Sequence, residues 1–417
     1  MIQDRVIICV ASNWDDHPTS KHHVMRLLAE QNEVLWINYH ASRRPRLNHT
    51  DVRLVGRRLR QVWAGPRRVA PRLLVLSPFL VPLPGLATAR RCNDWILRRQ
   101  VRHALRRLAT GGRSRAVRRP LQLWLFTPDV PELIPRLDAE RVVYYCVDDY
   151  AAFSGFDARL MEQLETRTLA ASDIVVTTSP RLYERCRKHH DCVHLVPHGV
   201  DFEHFAAAQT LPPQAVPDEL RDLPRPVFGY MGLIDEYVDL ELIAAVARRR
   251  PDWSFALLGQ VRRSTDVLAG LSNVRLLGPR PYQALPAYCR AFDVGLIPFR
   301  MNRLVRAVNP IKLREYLAAG LPVISAPLEA VLPYAPAVQT ASTVEQFLSV
   351  AQVALRLAVE TPARQRQELV RTESWRARVE ELSWLVETLP SAERLADPRP
   401  ADTRASPAPV KQPVLSA

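Results

Sequence analysis

A lysine and a glutamate three positions apart are the residues of this sequence best placed to bind an anion together with a sugar. Asn309 and Pro310 predict the start of a short helix, as its N-cap and first residue, and Gly320 predicts its end. Lys312 and Glu315 then share one face near the helix N-terminus, where a phosphate is stabilised. The Glu315 carboxylate could accept hydrogen bonds from both hydroxyls of a ribose. An ordinary surface ion pair is the alternative interpretation.

A glycine turn and an arginine pair in the same half of the chain could hold a diphosphate. Gly232 follows a strand predicted at residues 227–231, where the lack of a side chain would let the backbone approach phosphate oxygens. Arg262 and Arg263 follow a strand predicted at residues 253–258 and could neutralise phosphate charge. A tight turn and two solvated arginines are the alternatives. All of these residues would face the same cleft as the predicted helix N-terminus.

The first half of the chain carries candidates for binding and activating a hydroxyl group. His22 and His23 lie at the start of a helix predicted at residues 21–31, and only one of them can face inward; His22 is our candidate. Asp148 and Asp149 end a predicted strand, and an aspartate there could orient or deprotonate a hydroxyl; our candidate is Asp149. A helix cap or an ordinary surface position is the alternative in both cases.

Short apolar runs alternate with helix-like segments along most of the chain, which predicts βα units and parallel sheets. We expect an α/β protein with two facing, doubly wound, Rossmann-like domains at residues 1–200 and 201–390, and a disordered tail rich in proline and alanine at residues 391–417. Ligands bind beyond the carboxyl ends of parallel strands, so the cleft between the domains is the expected site. The predicted strands span residues 5–11, 33–37, 121–126, 142–147, 173–177, 227–231, 253–258, 274–277, 294–297 and 322–325.

The composition agrees with folded domains. Of the 417 residues, 47% are hydrophobic and 24% are charged, which excludes intrinsic disorder for most of the chain. Six cysteines form neither a CxxC pair nor a metal-finger spacing, so we expect them to be reduced and buried, and we expect no metal site. Residues 6–11 are too short for the core of a signal peptide, and no proline-free apolar run reaches membrane-spanning length. We therefore expect a cytoplasmic protein, either soluble or on a membrane surface.

The positive charge is concentrated in one stretch of the chain. The formal net charge is +14, and residues 37–120 contain 21 arginines but only two acidic residues, Asp51 and Asp94. The stretch includes an apolar, proline-broken segment at residues 73–89, which is either an exposed segment that enters a membrane interface or a buried strand. Because no known nucleic-acid-binding module accompanies the arginines, we expect an anionic membrane surface as the partner and no nucleic acid.

The segment at residues 309–325 resembles the donor-site helix of glycosyltransferases with the GT-B fold. The resemblance is to the retaining enzymes of family four, in particular to their bacterial exopolysaccharide and teichuronic-acid branch. Three further segments follow in that family's order, at residues 198–201, 229–234 and 293–298. The family motif reads Pro-x-Lys-x-x-Glu-Tyr-Leu-Ala-x-Gly-x-Pro-Val, and it is matched by Pro310, Lys312, Glu315, Tyr316, Leu317, Ala318, Gly320, Pro322 and Val323.

The resemblance implies an enzyme that transfers a sugar from a nucleotide diphosphate sugar, without a separate cofactor. It implies a lipid-linked or polysaccharide acceptor, and therefore a location on the inner face of the membrane. The acceptor would lie near His22 and Asp149, and Arg280 would border the base of the nucleotide. The residues on the donor side would be Gly232, Arg262, Arg263, Arg280, Asn309, Lys312 and Glu315.

One position departs from the family pattern. Many family members carry a glutamate eight positions before the one that matches Glu315, where it contacts the donor sugar, but this chain has Ala307. The departure leaves the donor sugar and the retention of anomeric configuration open. A non-catalytic scaffold protein of polysaccharide assembly or export is the main alternative. A sugar-nucleotide epimerase with the same fold and an arginine-driven nucleic-acid binder are two others.

Overall fold

The computed structural model describes residues 1–39, 56, 60–81, 86–110 and 119–389. The predicted tail at residues 391–417 and about half of the arginines in the basic stretch lie outside the described residues. Within the described part, the chain folds into two α/β domains, each with a largely parallel sheet.

The first domain is built on an eight-stranded sheet within the described residues. Its strands are β1 (Val6–Ala11), β2 (Glu33–Asn38), β3 (Arg67–Ala70), β4 (Leu73–Leu76), β5 (Leu121–Leu125), β6 (Arg141–Cys146), β7 (Ile174–Thr177) and β8 (Val193–Leu195). They lie in the order β3-β4-β2-β1-β5-β6-β7-β8, and only the β3–β4 pair is antiparallel. Its helices are α1 (Ser20–Leu28), α2 (Ala87–Thr110), α3 (Ala158–Ala170) and α4 (Pro180–Arg187).

The central strands of this sheet are largely apolar because both faces are covered. Along β1, Ile7 and Cys9 belong to one apolar cluster, whereas Ile8 and Val10 belong to another. All four side chains are fully buried. Since successive side chains of a strand point to opposite faces, the two clusters lie on opposite sides of the sheet. A continuous apolar run is therefore the pattern that a doubly covered parallel strand requires.

The second domain is built on a six-stranded parallel sheet. Its strands are β9 (Val227–Met231), β10 (Ser254–Leu258), β11 (Val274–Gly278), β12 (Val294–Ile297), β13 (Val323–Ser325) and β14 (Val338–Thr340). They lie in the order β11-β10-β9-β12-β13-β14. The helices that follow the first domain are α5 (Phe202–Ala206), α6 (Asp218–Arg221), α7 (Leu240–Arg249), α8 (Leu285–Ala291), α9 (Arg303–Arg306), α10 (Ile311–Ala318), α11 (Val344–Glu360), α12 (Ala363–Glu368) and α13 (Trp375–Thr388).

The predicted α/β class with two doubly wound domains is confirmed. All ten predicted strands are present, with small differences at their ends. The prediction did not include β3, β8 and β14, and it left β4 open as one of two interpretations. Those strands are only three or four residues long, so they carry little periodic signal.

The last helix of the described chain returns to the first domain. In α13, Trp375, Val379 and Leu382 are buried within the apolar cluster on one face of the first sheet. The two chain segments that cross between the domains pair with each other, because Val200 N–H donates to the Glu373 carbonyl at 2.9 Å. Gly199 permits this pairing, since a Cβ there would lie 2.8 Å from the Trp375 backbone. The predicted second domain at residues 201–390 thus includes a helix that packs on the first.

The apolar segment at residues 73–89 divides into a buried part and an exposed part. Residues 73–76 form β4, which pairs in parallel with β2 and is buried. For these four residues the interpretation as an exposed membrane-interface segment is wrong, because the sheet covers them. Phe79 and Leu86 are about half exposed, and residues 82–85 lie outside the described part. No helix of the described residues is long and apolar enough to cross a membrane.

Candidate functional site

The helix α10 lies close on the second sheet because glycine makes room for it. A Cβ on Gly295 of β12 would lie 2.6 Å from the ring of Tyr316, so only glycine permits this packing. The Tyr316 hydroxyl also accepts a hydrogen bond from the Met231 N–H at 2.8 Å, at the carboxyl end of β9. These contacts fix α10 with its first turn at the edge of the sheet where β9 ends.

Lys312 and Glu315 project from the start of this helix, and no residue that the structure describes makes a side-chain hydrogen bond or ion pair with either of them. The Lys312 Nζ lies 5.0 Å from the ring centre of Phe299 and 5.5 Å from that of Tyr230. Burial lowers the pKa of Lys312 and raises that of Glu315, and each charge partly offsets the effect on the other. A half-buried cation and a half-buried carboxylate, neither with a hydrogen-bond or ion-pair partner among the described residues, indicate a site that is built for a ligand.

Two glycines place bare backbone beside Lys312. Gly232 has φ +143°, and a Cβ there would lie 3.0 Å from Lys312 Cε. Gly259 has φ +153°, and a Cβ there would lie 1.8 Å from the Gly232 carbonyl oxygen. The structure therefore brings Gly232 next to Lys312, and it adds Gly259, which the sequence analysis did not single out. The turn that follows β10 is the signal by which Gly259 could have been found.

The three arginines predicted on the donor side differ in how they are engaged. Arg262 is exposed, and its guanidinium makes one long contact, at 3.5 Å, with Gln260 Oε1. Arg263 is held by Glu241 at 2.9 Å and donates to the Val238 carbonyl at 2.8 Å. Arg262 is thus the member of the pair that is available to an anion.

Arg280 is engaged in a separate surface network. Its guanidinium pairs with Glu219 at 2.9 Å and donates to the Tyr288 hydroxyl at 2.7 Å. A hydrogen bond from Tyr288 and the Arg280 charge lower the pKa of Glu219, which stabilises the network. The side chain of Arg280 is therefore occupied, although its backbone borders Tyr282, which faces the other domain.

Asn309 is not the N-cap of α10. The helix begins at Ile311 with Pro310 as its N-cap residue, and Asn309 makes no capping hydrogen bond. Instead its amide donates to the Thr178 carbonyl of the first domain at 2.7 Å and accepts from Arg314 at 2.8 Å. The predicted cap is wrong because tertiary partners satisfy the amide. Asn309 connects α10 to the other domain.

His22 is a buried side chain at the start of α1. Its Nδ1 accepts a hydrogen bond from the Thr19 N–H at 3.1 Å, as a residue of a capping box does. Its ring lies 4.9 Å from that of Trp36 and 5.4 Å from that of Trp14, measured between ring centres. Burial lowers the pKa of His22 to about 3, with smaller contributions from nearby positive charge, so the ring is neutral at physiological pH.

His23 is the histidine of this pair that faces the second domain. Its ring stacks on Trp375 at 5.0 Å and lies 5.6 Å from the ring of Tyr282. His17 approaches the same tyrosine at 5.9 Å. Burial lowers the pKa of His17. A hydrogen bond to the Pro18 carbonyl opposes this shift, and the positive charge of Lys312, on the donor helix, adds to it. These contacts line the interdomain cleft with aromatic rings.

Asp149 joins the two domains through ion pairs. The side chain is buried and accepts from Arg185 of α4 at 3.0 Å. It also accepts from Arg303 of α9, in the second domain, at 2.8 Å. Both carboxylate oxygens are thereby occupied. The local sequence gives no sign of this role, because Arg303 is far away in the chain.

Asp148 and Lys21 occupy the first-domain side of the cleft. Burial raises the pKa of Asp148 to about 6, and the charge of Lys21 opposes that shift. Burial lowers the pKa of Lys21, and Asp148 opposes that shift in turn. Burial, then the charges of Asp235 and Asp148, raise the pKa of the Tyr237 hydroxyl in the second domain. Asp148 was predicted only as the neighbour of Asp149, and the local sequence does not show that Lys21 lies near it.

Ala307 lies at a contact between the two domains. Ala307 is buried against the apolar cluster of the first domain, and its carbonyl accepts from the Ser179 hydroxyl at 2.6 Å. Together with Asn309, it fastens the segment before α10 to the first domain.

The geometry suits a nucleoside diphosphate. A cation, a helix N-terminus and two bare backbone turns lie where phosphate oxygens would be bound, and a carboxylate lies one helical turn away for the hydroxyls of a ribose. Within the described residues, no group of three or more histidine, cysteine, aspartate or glutamate side chains could hold a metal ion.

Part of the second domain is similar to a known protein family. Residues 225–354 match the family model described as Glycosyl transferases group 1. This region contains Gly232, Lys312 and Glu315, so the candidate site lies within the part of the chain that matches this family model.

The chain is similar to one curated protein in particular, the putative teichuronic acid biosynthesis glycosyltransferase TuaH of Bacillus subtilis (strain 168). The two are 30% identical over 218 residues, which cover 48% of this chain and 54% of TuaH. The match thus spans about half the length of that relative.

Solved structures confirm the GT-B fold. Sucrose-phosphate synthase from Thermosynechococcus elongatus has a TM-score of 0.63 at 15% identity, over 91% of this chain and 98% of its own. HepE from Anabaena, in complex with UDP-glucose, has a TM-score of 0.61 at 12% identity, over 92% of this chain and 100% of its own. At these identities the likeness establishes the fold alone.

Proposed function

We propose that this protein is a glycosyltransferase that moves a sugar from a nucleotide diphosphate sugar to a lipid-linked or polysaccharide acceptor in the synthesis of bacterial cell-surface polysaccharide. The observation that carries the proposal is the half-buried pair of Lys312 and Glu315, which project beside the Gly232 turn without a hydrogen-bond or ion-pair partner among the described residues. The match of residues 225–354 to the glycosyl transferases group 1 family supports it.

The donor would bind to the second domain. Lys312, Arg262 and the backbone at Gly232 would hold the diphosphate, and Glu315 would accept hydrogen bonds from the ribose. Because HepE has been solved in complex with UDP and with UDP-glucose, a uridine nucleotide is the first donor to test. As the bond to the sugar breaks, negative charge develops on the departing diphosphate, and preorganised positive groups stabilise it there. This charge supports a reaction without a metal ion.

The acceptor would bind at the first-domain side of the cleft. We assign to Asp148 the contact with the acceptor hydroxyl, since its pKa of about 6 suits a group that exchanges a proton near neutral pH. Asp149 and His22 would support this site: Asp149 holds α9 against the first domain, and His22 fixes the start of α1. We further propose retention of the anomeric configuration and a location on the inner face of the membrane, as the family resemblance implies.

The position of Ala307 is the observation that favours a second candidate, a non-catalytic scaffold with the same fold. Where family members carry a sugar-contacting glutamate, this chain has a methyl group buried against the first domain. A scaffold of this kind would bind a nucleotide without turnover.

A thermal-shift panel tests the donor site. UDP, GDP, ADP and dTDP, with their sugars, would be added to the wild type, to Glu315→Ala and to the control Glu360→Ala, which alters an exposed glutamate on α11. We expect one nucleotide to stabilise the wild type and the control but not Glu315→Ala. Stabilisation by none of them would contradict the proposal. Turnover of the stabilising nucleotide sugar with a membrane extract as acceptor then separates the enzyme from the scaffold.

A further inference from the structure

A groove on the first domain lies apart from the cleft and shares no residue with the donor site. It has a volume of about 610 Å³ and runs between α2 and the residues that precede β3. Trp63 and Trp95 form part of its wall from opposite sides, and Arg99, His103 and Arg107 line it along the helix. An aromatic groove with a basic wall is the first feature of this surface.

A second groove, of about 440 Å³, adjoins it along the same helix. Its lining is shared in part with the first, and it consists of Trp95, Arg98, Arg99, Arg102, His103 and Arg106. The spacings of three and four between these residues place them on one side of α2. The two grooves together are called the arginine–tryptophan surface below.

Large apolar side chains on this part of the domain remain in water. Trp63 is 88% exposed and Trp95 is 57% exposed. Phe79 and Leu86 are exposed by 48% and 49%, and Leu86 immediately precedes α2. Asn93 of α2 bonds both the N–H and the carbonyl of Val81, which holds the segment with Phe79 against the start of the helix. The two tryptophans line the grooves, and Leu86 and the segment with Phe79 lie at the start of the same helix; exposed apolar groups of this kind mark a surface that is covered in use.

The charge around these side chains has one sign. Residues 60–81 and 86–110 contain eleven arginines and a single acidic residue, Asp94, which pairs with Arg98 at 2.8 Å. Arg99 lies over the ring of Trp95 at 5.8 Å, which orients its guanidinium beside the exposed indole. The surface therefore complements an anionic partner that also offers apolar material.

We propose that the arginine–tryptophan surface docks the protein onto a bilayer that contains anionic phospholipid. Arginines bind lipid phosphates at the surface, while tryptophan and leucine side chains reach the boundary between headgroups and acyl chains. The exposed Leu86 favours a bilayer over a nucleic acid, because an aliphatic side chain offers no face for base stacking. This proposal rests on the proposed function, because a lipid-linked acceptor would lie in the bilayer that this surface contacts. Its test measures vesicle binding and does not depend on turnover.

Sedimentation of the full chain with vesicles tests the proposal. We expect the wild type to bind vesicles of phosphatidylglycerol and phosphatidylcholine (3:7) and not vesicles of phosphatidylcholine alone. The variant Arg99→Gln/Arg102→Gln should bind about 30-fold more weakly, from about 1 kcal/mol for each basic residue near the surface. The variant Trp63→Ala/Trp95→Ala should bind roughly tenfold more weakly at any salt concentration, because it removes apolar contact and not charge.

Matched substitutions elsewhere serve as controls. Arg356→Gln/Arg364→Gln removes two exposed arginines of the second domain, and Trp384→Ala removes a tryptophan that is 62% exposed on α13. Neither control should change vesicle binding by more than about twofold. An unchanged melting temperature in every variant, without ligand, shows that the fold is intact.

Three results would overturn the docking proposal. The first is equal binding of the wild type to both kinds of vesicle. The second is an equal loss of vesicle binding in the surface variants and in the control variants. The third is binding of a 20-nucleotide DNA strand by the wild type that the surface variants lose while they still bind vesicles. Nucleotide stabilisation of the wild type is measured without vesicles, so failure of the docking surface and failure of the donor site remain distinguishable.

Discussion

The two domains differ in how far a local motif determines their candidate site. In the second domain, Lys312, Glu315 and Gly232 meet at one place, as their spacing predicts. In the first domain, His22 caps a helix and Asp149 holds two arginines, so both candidates have structural partners. A site built on one helical turn can be found from a short segment, whereas a site built from distant partners cannot.

The physical reason lies in the range of the interactions. Positions three apart on a helix share a face wherever the helix packs, so the relation of Lys312 to Glu315 survives any tertiary context. The environment of Asp149 is determined by Arg303, which the chain brings close only when the two domains meet. The following variants test whether this contrast holds for function as well as for geometry.

The largest effect is expected for Glu315→Ala. Removing the carboxylate takes away the acceptor of the ribose hydroxyls, and a hydrogen bond to a charged group is worth about 1.5 to 3 kcal/mol. Affinity for the nucleotide that stabilises the wild type should fall about 100-fold, as measured by titration calorimetry. Glu360→Ala should leave it unchanged. Equal affinities of the wild type and Glu315→Ala would show that Glu315 does not bind the nucleotide, and the contrast between the two domains would fail.

The next effect is expected for Asp149→Asn, in stability. The substitution removes one of the two carboxylates that pair with each of Arg185 and Arg303, so the free energy of unfolding should fall by about 2 kcal/mol in urea denaturation. Arg303→Gln should lose part of the same energy, and the double variant should show non-additive losses. If Asp149→Asn abolished turnover at full stability while Arg303→Gln did not, Asp149 would be a catalytic residue and the contrast would fail.

Gly232→Ala should affect both stability and nucleotide binding. A φ of +143° strains any side chain by about 1 to 3 kcal/mol, and the new methyl group would press on Lys312. We expect about tenfold weaker nucleotide binding. The control is Gly270→Ala, which has φ +76° but no atom within 4 Å of the added Cβ. It should lower the melting temperature without changing affinity; an effect of both variants on affinity would contradict the role of the turn.

Stability should depend on pH through Glu315. Its pKa is raised by burial from 4.5 to about 7, so between these values the folded protein holds a proton that the unfolded chain has lost. The free energy of unfolding therefore falls as pH rises through this window, with a slope of about 1 kcal/mol per pH unit. Urea unfolding at pH 5 and pH 7.5 should show this fall in the wild type and a smaller one in Glu315→Gln. If the free energy of unfolding fell equally in the wild type and in Glu315→Gln, Glu315 would not be the group responsible.

The smallest effect separates the two adjacent arginines. Arg262→Ala should weaken nucleotide binding about threefold, because this exposed guanidinium supplies charge without a fixed partner. Arg263→Ala should leave affinity unchanged and lower the melting temperature slightly, because it removes the contacts to Glu241 and the Val238 carbonyl. Reversed results would mean that the donor reorganises the turn after β10.

The central strands of both sheets were predictable, because burial on two faces gives most of them a continuous apolar run, whereas the short edge strands β3, β8 and β14 were missed. The interpretation of residues 73–76 was undecided, since an apolar run of that length fits a strand or an interfacial segment equally well. The cap at Asn309 was predicted wrongly for a different reason. Its amide meets Thr178 and Arg314, and such tertiary partners are invisible in a local pattern.

The return of α13 to the first domain also constrains the order in which the chain can fold during synthesis. The last strand of the first sheet, β8, ends at Leu195, but Trp375, Val379 and Leu382 complete the core on one face of that sheet. Domains made early on the ribosome usually fold early. Here the core of the first domain can close only after α13 has emerged, by which time the whole of the second sheet is available to fold. The domain that is synthesised first is therefore completed last.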